Sequence, residues 1–140
     1  MIKRTAYTFL QLTWGLPQTL LGLILYLKNL RRPHERYRFS INTHWKSKGG
    51  ISLGLFIFTP ETQTPNYEKI RVHEYGHTIQ SLVLGPLYLP FIGIISYTWA
   101  NLPFFKRIRK EKGIPYTACF VEASASRLGE WVTNEKAIWH

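Results

Sequence analysis

His73-Glu74-Tyr75-Gly76-His77 lies within the run from Asn66 to Leu84, and its reading decides what the rest of the chain must build. Ahead of it, Thr64-Pro65 supplies an N-cap and a proline at the first helical position; behind it, Gly85-Pro86 stops the chain. A helix over 66–84 is therefore expected. Histidines four apart leave one face of a helix one turn apart, so their imidazoles can converge on one metal ion. Glu74, next to the first histidine, is then set beside the ion as a general base and not as a ligand. With five histidines and eight acidic residues in 140, such a match arises by chance roughly once in a hundred sequences, so the spacing carries information. Gly76 costs about 1 kcal/mol relative to Ala in mid-helix, which predicts a neighbouring element pressed against it. Val72, Ile79 and Val83 fall on one face and Tyr75 and Leu82 on another, so the helix is expected to be buried on several sides.

Catalytic zinc sites hold three protein ligands and a water, so one more ligand is needed. Six positions beyond His77 stands Val83, which removes a histidine at short spacing. Every acidic residue is Glu, and the chain has no Asp and one cysteine, Cys119. That composition excludes a Ser-His-Asp triad, a paired-aspartate dyad, an EF-hand loop, a Cys-built zinc site and an internal disulfide. Glu111, Glu122, Glu130, Glu135 and His140 remain downstream. A final helix is expected over 116–131, where Ala118, Cys119, Glu122, Ala125, Ser126 and Gly129 draw a stripe of small residues around one carboxylate. Small residues let two helices approach closely, and a carboxylate in such a seam is expensive to bury without a cation. Glu122 is the favoured third ligand, the other four staying open, and Cys119 is read as a small seam residue.

Two histidines and a Glu on a distant helix resemble the gluzincin, thermolysin-like group of zinc metallopeptidases. The resemblance covers 66–84 and 116–131, with the strand at 51–58 in the place where that group keeps an edge strand for substrate. It implies an α+β, minimal zincin-like domain with a β-hairpin or small sheet, an active-site helix and a C-terminal Glu-bearing helix. It also implies Zn2+ held by His73, His77 and Glu122, Glu74 as the catalytic base, and a peptide or protein substrate. The stretch from Thr78-Ile79-Gln80-Ser81 through Leu84-Gly85-Pro86-Leu87-Tyr88-Leu89-Pro90 is similar to small bacterial metallopeptidase-like proteins as well. Where thermolysin-like enzymes place an Asp four residues after the ligand Glu, to hold a zinc histidine, this chain has Ser126. Tyr116, Tyr88 and His44 are the candidates for stabilising an oxyanion. The alternative is a non-catalytic, metal-stabilised module at a membrane or on a partner protein.

Elsewhere, residues 5–27 carry no charge, long enough for about 34 Å of helix, though Gly15-Leu16-Pro17 should bend it. An apolar N-terminal helix over 1–30, anchor or buried, is expected ahead of a single domain over 31–140. Alternation in 37–45 and the apolar run 51–58, with Lys48-Gly49-Gly50 between them, read as a β-hairpin with His44 on its solvated face. Gly54 within the run predicts that another backbone or a ligand passes close. From Leu82 to Phe105 the chain is uncharged but broken by Gly85, Pro86, Pro90, Gly93 and Pro103, which favours a re-entrant, interfacial or buried segment over a straight span. The net charge is +10, and the basic groups at 28–38 and 106–112 each follow an apolar stretch. That pattern points to an anionic membrane surface as partner, with the domain membrane-associated and facing the cytoplasm, or cytoplasmic. No nucleic-acid-binding module is present in the sequence, so nucleic acid is not expected as a partner.

Overall fold

Periodicity in the middle of the chain resolves into four short strands instead of two long ones. A computed structural model describes residues 3–139, so the candidate ligand His140 lies outside the described residues. In it, 37–45 is split by a turn at Arg38-Phe39 into β1 (His34–Tyr37) and β2 (Ser40–His44), with Arg38 in the left-handed region at φ 54°. The run 51–58 is likewise split into β3 (Ile51–Leu53) and β4 (Phe56–Thr59), where Gly54 takes φ 66° at the turn. The spatial order is β1-β2-β4-β3, with β1–β2 and β3–β4 antiparallel and β2–β4 parallel. The expected single hairpin is therefore corrected: two hairpins lie side by side, and each tight turn falls inside a segment whose pattern alone reads as continuous strand. β4 is buried throughout because it is an interior strand. The close approach at Gly54 is made by Thr19, whose Oγ1 and backbone lie 2.1 Å and 2.9 Å from where a Cβ would stand.

The remaining elements are helical. They are α1 (Arg4–Leu12), α2 (Leu16–Lys28), α3 (Tyr67–Leu84), α4 (Ile94–Asn101), α5 (Pro103–Lys112) and α6 (Phe120–Thr133). Between α3 and α4 the chain makes a 3-10 turn over Gly85–Leu87 and a π-helical turn over Leu89–Gly93, as its glycines and prolines require. The class is α+β, as the sequence indicates. α3 starts at Tyr67, slightly later than Thr64-Pro65 suggests, because Asn66 adopts φ 63° and breaks the helical path. α6 begins at Phe120, after a 3-10 turn over Tyr116–Ala118.

α3 is sandwiched between the sheet and α6, which explains its burial. Tyr7 from α1, Tyr37 and Ile57 from the sheet and Tyr75 from α3 form one buried cluster; Tyr88, Ile92 and Val121 form another at the far end. Val83, expected to be buried, is 71% exposed.

The α3–α6 seam is built on glycine. A Cβ on Gly76 would meet the Ala125 carbonyl oxygen at 1.7 Å, and one on Gly129 would meet the Val72 carbonyl oxygen at 2.2 Å. Both obstacles are backbone, so neither can be relieved by a rotamer change. Gly76→Ala, which on helix propensity alone would stabilise by about 1 kcal/mol, is instead expected to destabilise by about 3 kcal/mol. That corresponds to a fall of roughly 10 °C in thermal midpoint. A midpoint equal to or above wild type would show that the helices are not in backbone contact.

α1 and α2 meet at 92° across Thr13–Gly15, and among the described residues no single helix is long and apolar enough to cross a membrane. Polar side chains tie both to the rest of the fold. The Tyr7 hydroxyl bonds Ser40 Oγ at 2.6 Å, Gln11 Nε2 donates to the Thr78 carbonyl at 3.0 Å, and Gln18 Nε2 donates to Ser81 Oγ at 2.7 Å.

Candidate metal centre

The close seam places donors from two helices at one point. His73 and His77 leave α3 one turn apart, and Glu122 rises from the first turn of α6 with no solvent exposure. Glu122 Oε2 lies 2.8 Å from His73 Nε2 and 3.1 Å from His77 Nε2. One donor atom from each of the three falls within 4.8 Å of the others, an arrangement that could hold a metal ion. A tetrahedral site with bonds of 2.0–2.2 Å spaces its ligand atoms about 3.3 Å apart, so small adjustments would admit zinc.

Hydrogen bonding around the histidines shows why these atoms face one another. Ser126 Oγ donates its one hydrogen to the Ile138 carbonyl at 2.6 Å, so toward His73 Nδ1, at 2.8 Å, it can only accept. Gln80 Nε2 donates to the Val121 carbonyl at 3.1 Å and Ser124 Oγ at 2.8 Å, which turns its Oε1 toward His77 Nδ1 at 2.6 Å. Both Nδ1 atoms are thereby protonated, and both Nε2 lone pairs point inward. Ser96 on α4 donates to the other oxygen of Glu122, Oε1. Two imidazole lone pairs and a carboxylate oxygen converging on one point require a cation among them, either a proton or a metal. Without a metal the proton serves: burial lowers the His77 pKa, but Glu122 overrides it and brings it up to about 9. Burial likewise raises the Glu122 carboxyl, yet His77 and His73 hold it well below the ordinary carboxylate range.

Glu74 stands apart from the three donors. It is buried, with its carboxylate against Gly50, where a Cβ would meet Oε1 at 2.8 Å. Burial raises its pKa to about 7, with Glu122 adding to the rise and His77 opposing it. Glu74 and His77 both line a cleft of about 320 Å³ whose walls come from β3, the turns after α3, α4 and Tyr116. The cleft is walled chiefly by apolar and aromatic side chains, in the size range of ligand sites.

The residues singled out from the sequence separate clearly here. Tyr88 and Tyr116 line the cleft, the Tyr88 hydroxyl donates to the Ser52 carbonyl at 2.9 Å, and the Tyr116 ring centroid is 6.5 Å from that of His73. Burial first, then the charges of Glu74 and Glu122, push both phenols far above their usual pKa and keep them protonated. His44 is not at this site and is not solvated: it is buried, with Nε2 3.7 Å from Glu35 and its ring 5.4 Å from Tyr67. Of the other carboxylates, Glu111 is exposed on α5, Glu130 accepts from the Ala137 amide and the Trp139 indole, and Glu135 pairs with Arg38. Cys119 precedes α6 and packs beside Tyr88, Ile92 and Val121. The strand 51–58, expected to offer a continuous edge, offers only β3, whose Ser52 carbonyl is already taken by Tyr88. Ser96 and Gln80 carry no signal in the sequence, because each gains its role only when a second helix is packed against it.

No protein-family model, curated protein or solved structure matches this chain. The gluzincin resemblance therefore rests on His73, Glu74, His77 and Glu122 themselves.

Proposed function

We propose that this chain is a zinc-dependent peptidase. The observation that carries the reading is the convergence of His73 Nε2, His77 Nε2 and Glu122 Oε2, with His77 and a separate carboxylate, Glu74, lining a cleft. A metal used only as a structural staple is closed off by four protein ligands, whereas three ligands leave a position for water or substrate. When bound there, Zn2+ supplies Lewis acidity toward a peptide carbonyl and brings the pKa of a coordinated water toward about 7.

The chain's own residues do the remaining work. Glu74 takes a proton from the attacking water and returns it to the departing amine. Ser126 and Gln80, through the two Nδ1 atoms, keep both imidazoles aimed at the ion. Tyr116, a protonated phenol on the cleft wall, is a donor for the oxygen of the attacked carbonyl. β3 lines the cleft, where the Ser52 hydroxyl, buried with no hydrogen-bond partner among the described residues, is a further polar group at that wall.

Metal analysis of the purified full chain, together with cleavage of a peptide library, tests the reading. About one zinc per chain is expected, with cleavage lost on chelation and regained when zinc is added back. Zinc binding without cleavage of any peptide would favour the metal-stabilised, non-catalytic module.

A further inference from the structure

α2 is built inside out. Gln18, Thr19 and Gly22 form the face that packs on the protein. Leu16, Leu20, Leu21, Leu23, Ile24 and Leu27 point away from it, 39–57% exposed. The surface helix of a water-soluble domain does the reverse, burying its leucines and exposing its glutamines. The face does not end with α2. The Trp14 ring lies against Gly85, 2.1 Å from where a Cβ would stand, and joins α2 to the segment after α3, where Leu87, Phe91, Ile94 and Tyr97 are also exposed. A continuous apolar surface of this kind marks an interaction site.

The charge around it says what covers it. Residues 3–34 contain Lys3, Arg4, Lys28, Arg31 and Arg32 and no acidic residue. At the end of α2, Lys28, Arg31, Arg32 and Lys46 line an open depression of about 610 Å³ with Trp45, Arg32 also pairing with Glu61 at 3.5 Å. A second basic group, with Lys106, Arg107 and Lys110, follows the exposed Phe104 on α5. A second copy of the chain seated on this face would bring the same cations toward one another, whereas lipid phosphates neutralise them.

We propose that this face docks on an anionic lipid bilayer, its leucines and aromatics entering the acyl boundary and the basic depression taking lipid phosphates. α2 has 13 residues, and a helix of that size, about 20 Å long, is too short for a hydrocarbon core of about 30 Å. The docking is therefore interfacial, with no crossing by α2. Ile94 and Tyr97 belong to both the exposed face and the cleft wall, so the cleft opens beside the lipid.

Co-sedimentation of the full chain with vesicles tests this. Binding is expected to vesicles in which about a third of the lipid is phosphatidylglycerol, and to be at least about tenfold weaker with phosphatidylcholine alone. Leu20→Glu with Ile24→Glu, both outward-facing, should abolish binding with the helical circular dichroism unchanged. Lys28→Glu with Arg31→Glu should weaken it on the order of tenfold or more. His77→Ala should bind as wild type, which separates docking from the metal centre. A monodisperse wild-type chain that ignores anionic vesicles at low salt overturns the proposal. So does a wild-type dimer that binds no vesicles and that the Leu20→Glu, Ile24→Glu variant converts to monomer, since a second copy then covers the face.

Discussion

Glu74→Gln is expected to lower peptide hydrolysis by about two to four orders of magnitude and to leave zinc stoichiometry at the wild-type value. Glu74 is not among the three converging donors, so the amide removes no metal ligand. The substitution keeps side-chain size but takes away the capacity to accept a proton, which is the one function assigned to this carboxylate. It also replaces a buried carboxylate by a neutral group, so the fold should be at least as stable. The measurement is kcat/KM on a peptide drawn from the library, beside the metal content of the same preparation. Wild-type turnover in this variant would remove Glu74 from the mechanism; loss of zinc would show that it ligates.

Glu122→Ala is expected to weaken zinc binding by more than about a hundredfold, beyond the effect of losing an outer hydrogen-bond partner. It removes the only carboxylate among the donors and leaves two imidazoles to hold a dication. The variant should still fold. With Glu122 gone, His77 loses the anion that raised its pKa, and burial then favours the neutral imidazole, so no uncompensated charge is stranded. Competition with a chromogenic chelator gives the affinity, and circular dichroism checks the fold. Glu130→Ala is the control: its carboxylate bonds Ala137 and Trp139 and should leave zinc binding unchanged. Unaltered zinc affinity in Glu122→Ala would end its assignment as a ligand.

Much of the site was legible in the sequence because its information is local or compositional. The pair His73 and His77 needs only helical periodicity, and Gly76 announces a close neighbour by its helix penalty. Glu122 was legible because a carboxylate among small residues has few other reasons to be there. The sheet was less legible for a physical reason: alternation reports which face a residue occupies, not which strand it pairs with. Parallel pairing of β2 with β4 leaves no local trace, and the turn at Arg38 uses a positive φ that nothing in the residue type signals. His44 was misplaced for the same reason, since its polar face turns toward Glu35 and Tyr67 instead of water. Charge-free residues 5–27 suggested apolar burial or spanning, yet only the packed structure reveals that Gln18 and Thr19 face inward.

The glycine seam separates two kinds of freedom. Because Gly76 and Gly129 put backbone against backbone, at those two contacts no side chain stands between α3 and α6 whose rotamer or volume could be retuned. The donors on those helices inherit a separation fixed to the tolerance of main-chain contact. The cleft wall is different: Ile94, Tyr97 and Leu89 come from the segment that follows α3, outside the seam. Substitutions there can reshape what enters the cleft while the distance from His73 and His77 to Glu122 stays where it is. For the proposed peptidase, selectivity could therefore drift through substitutions in that wall without moving the three donors.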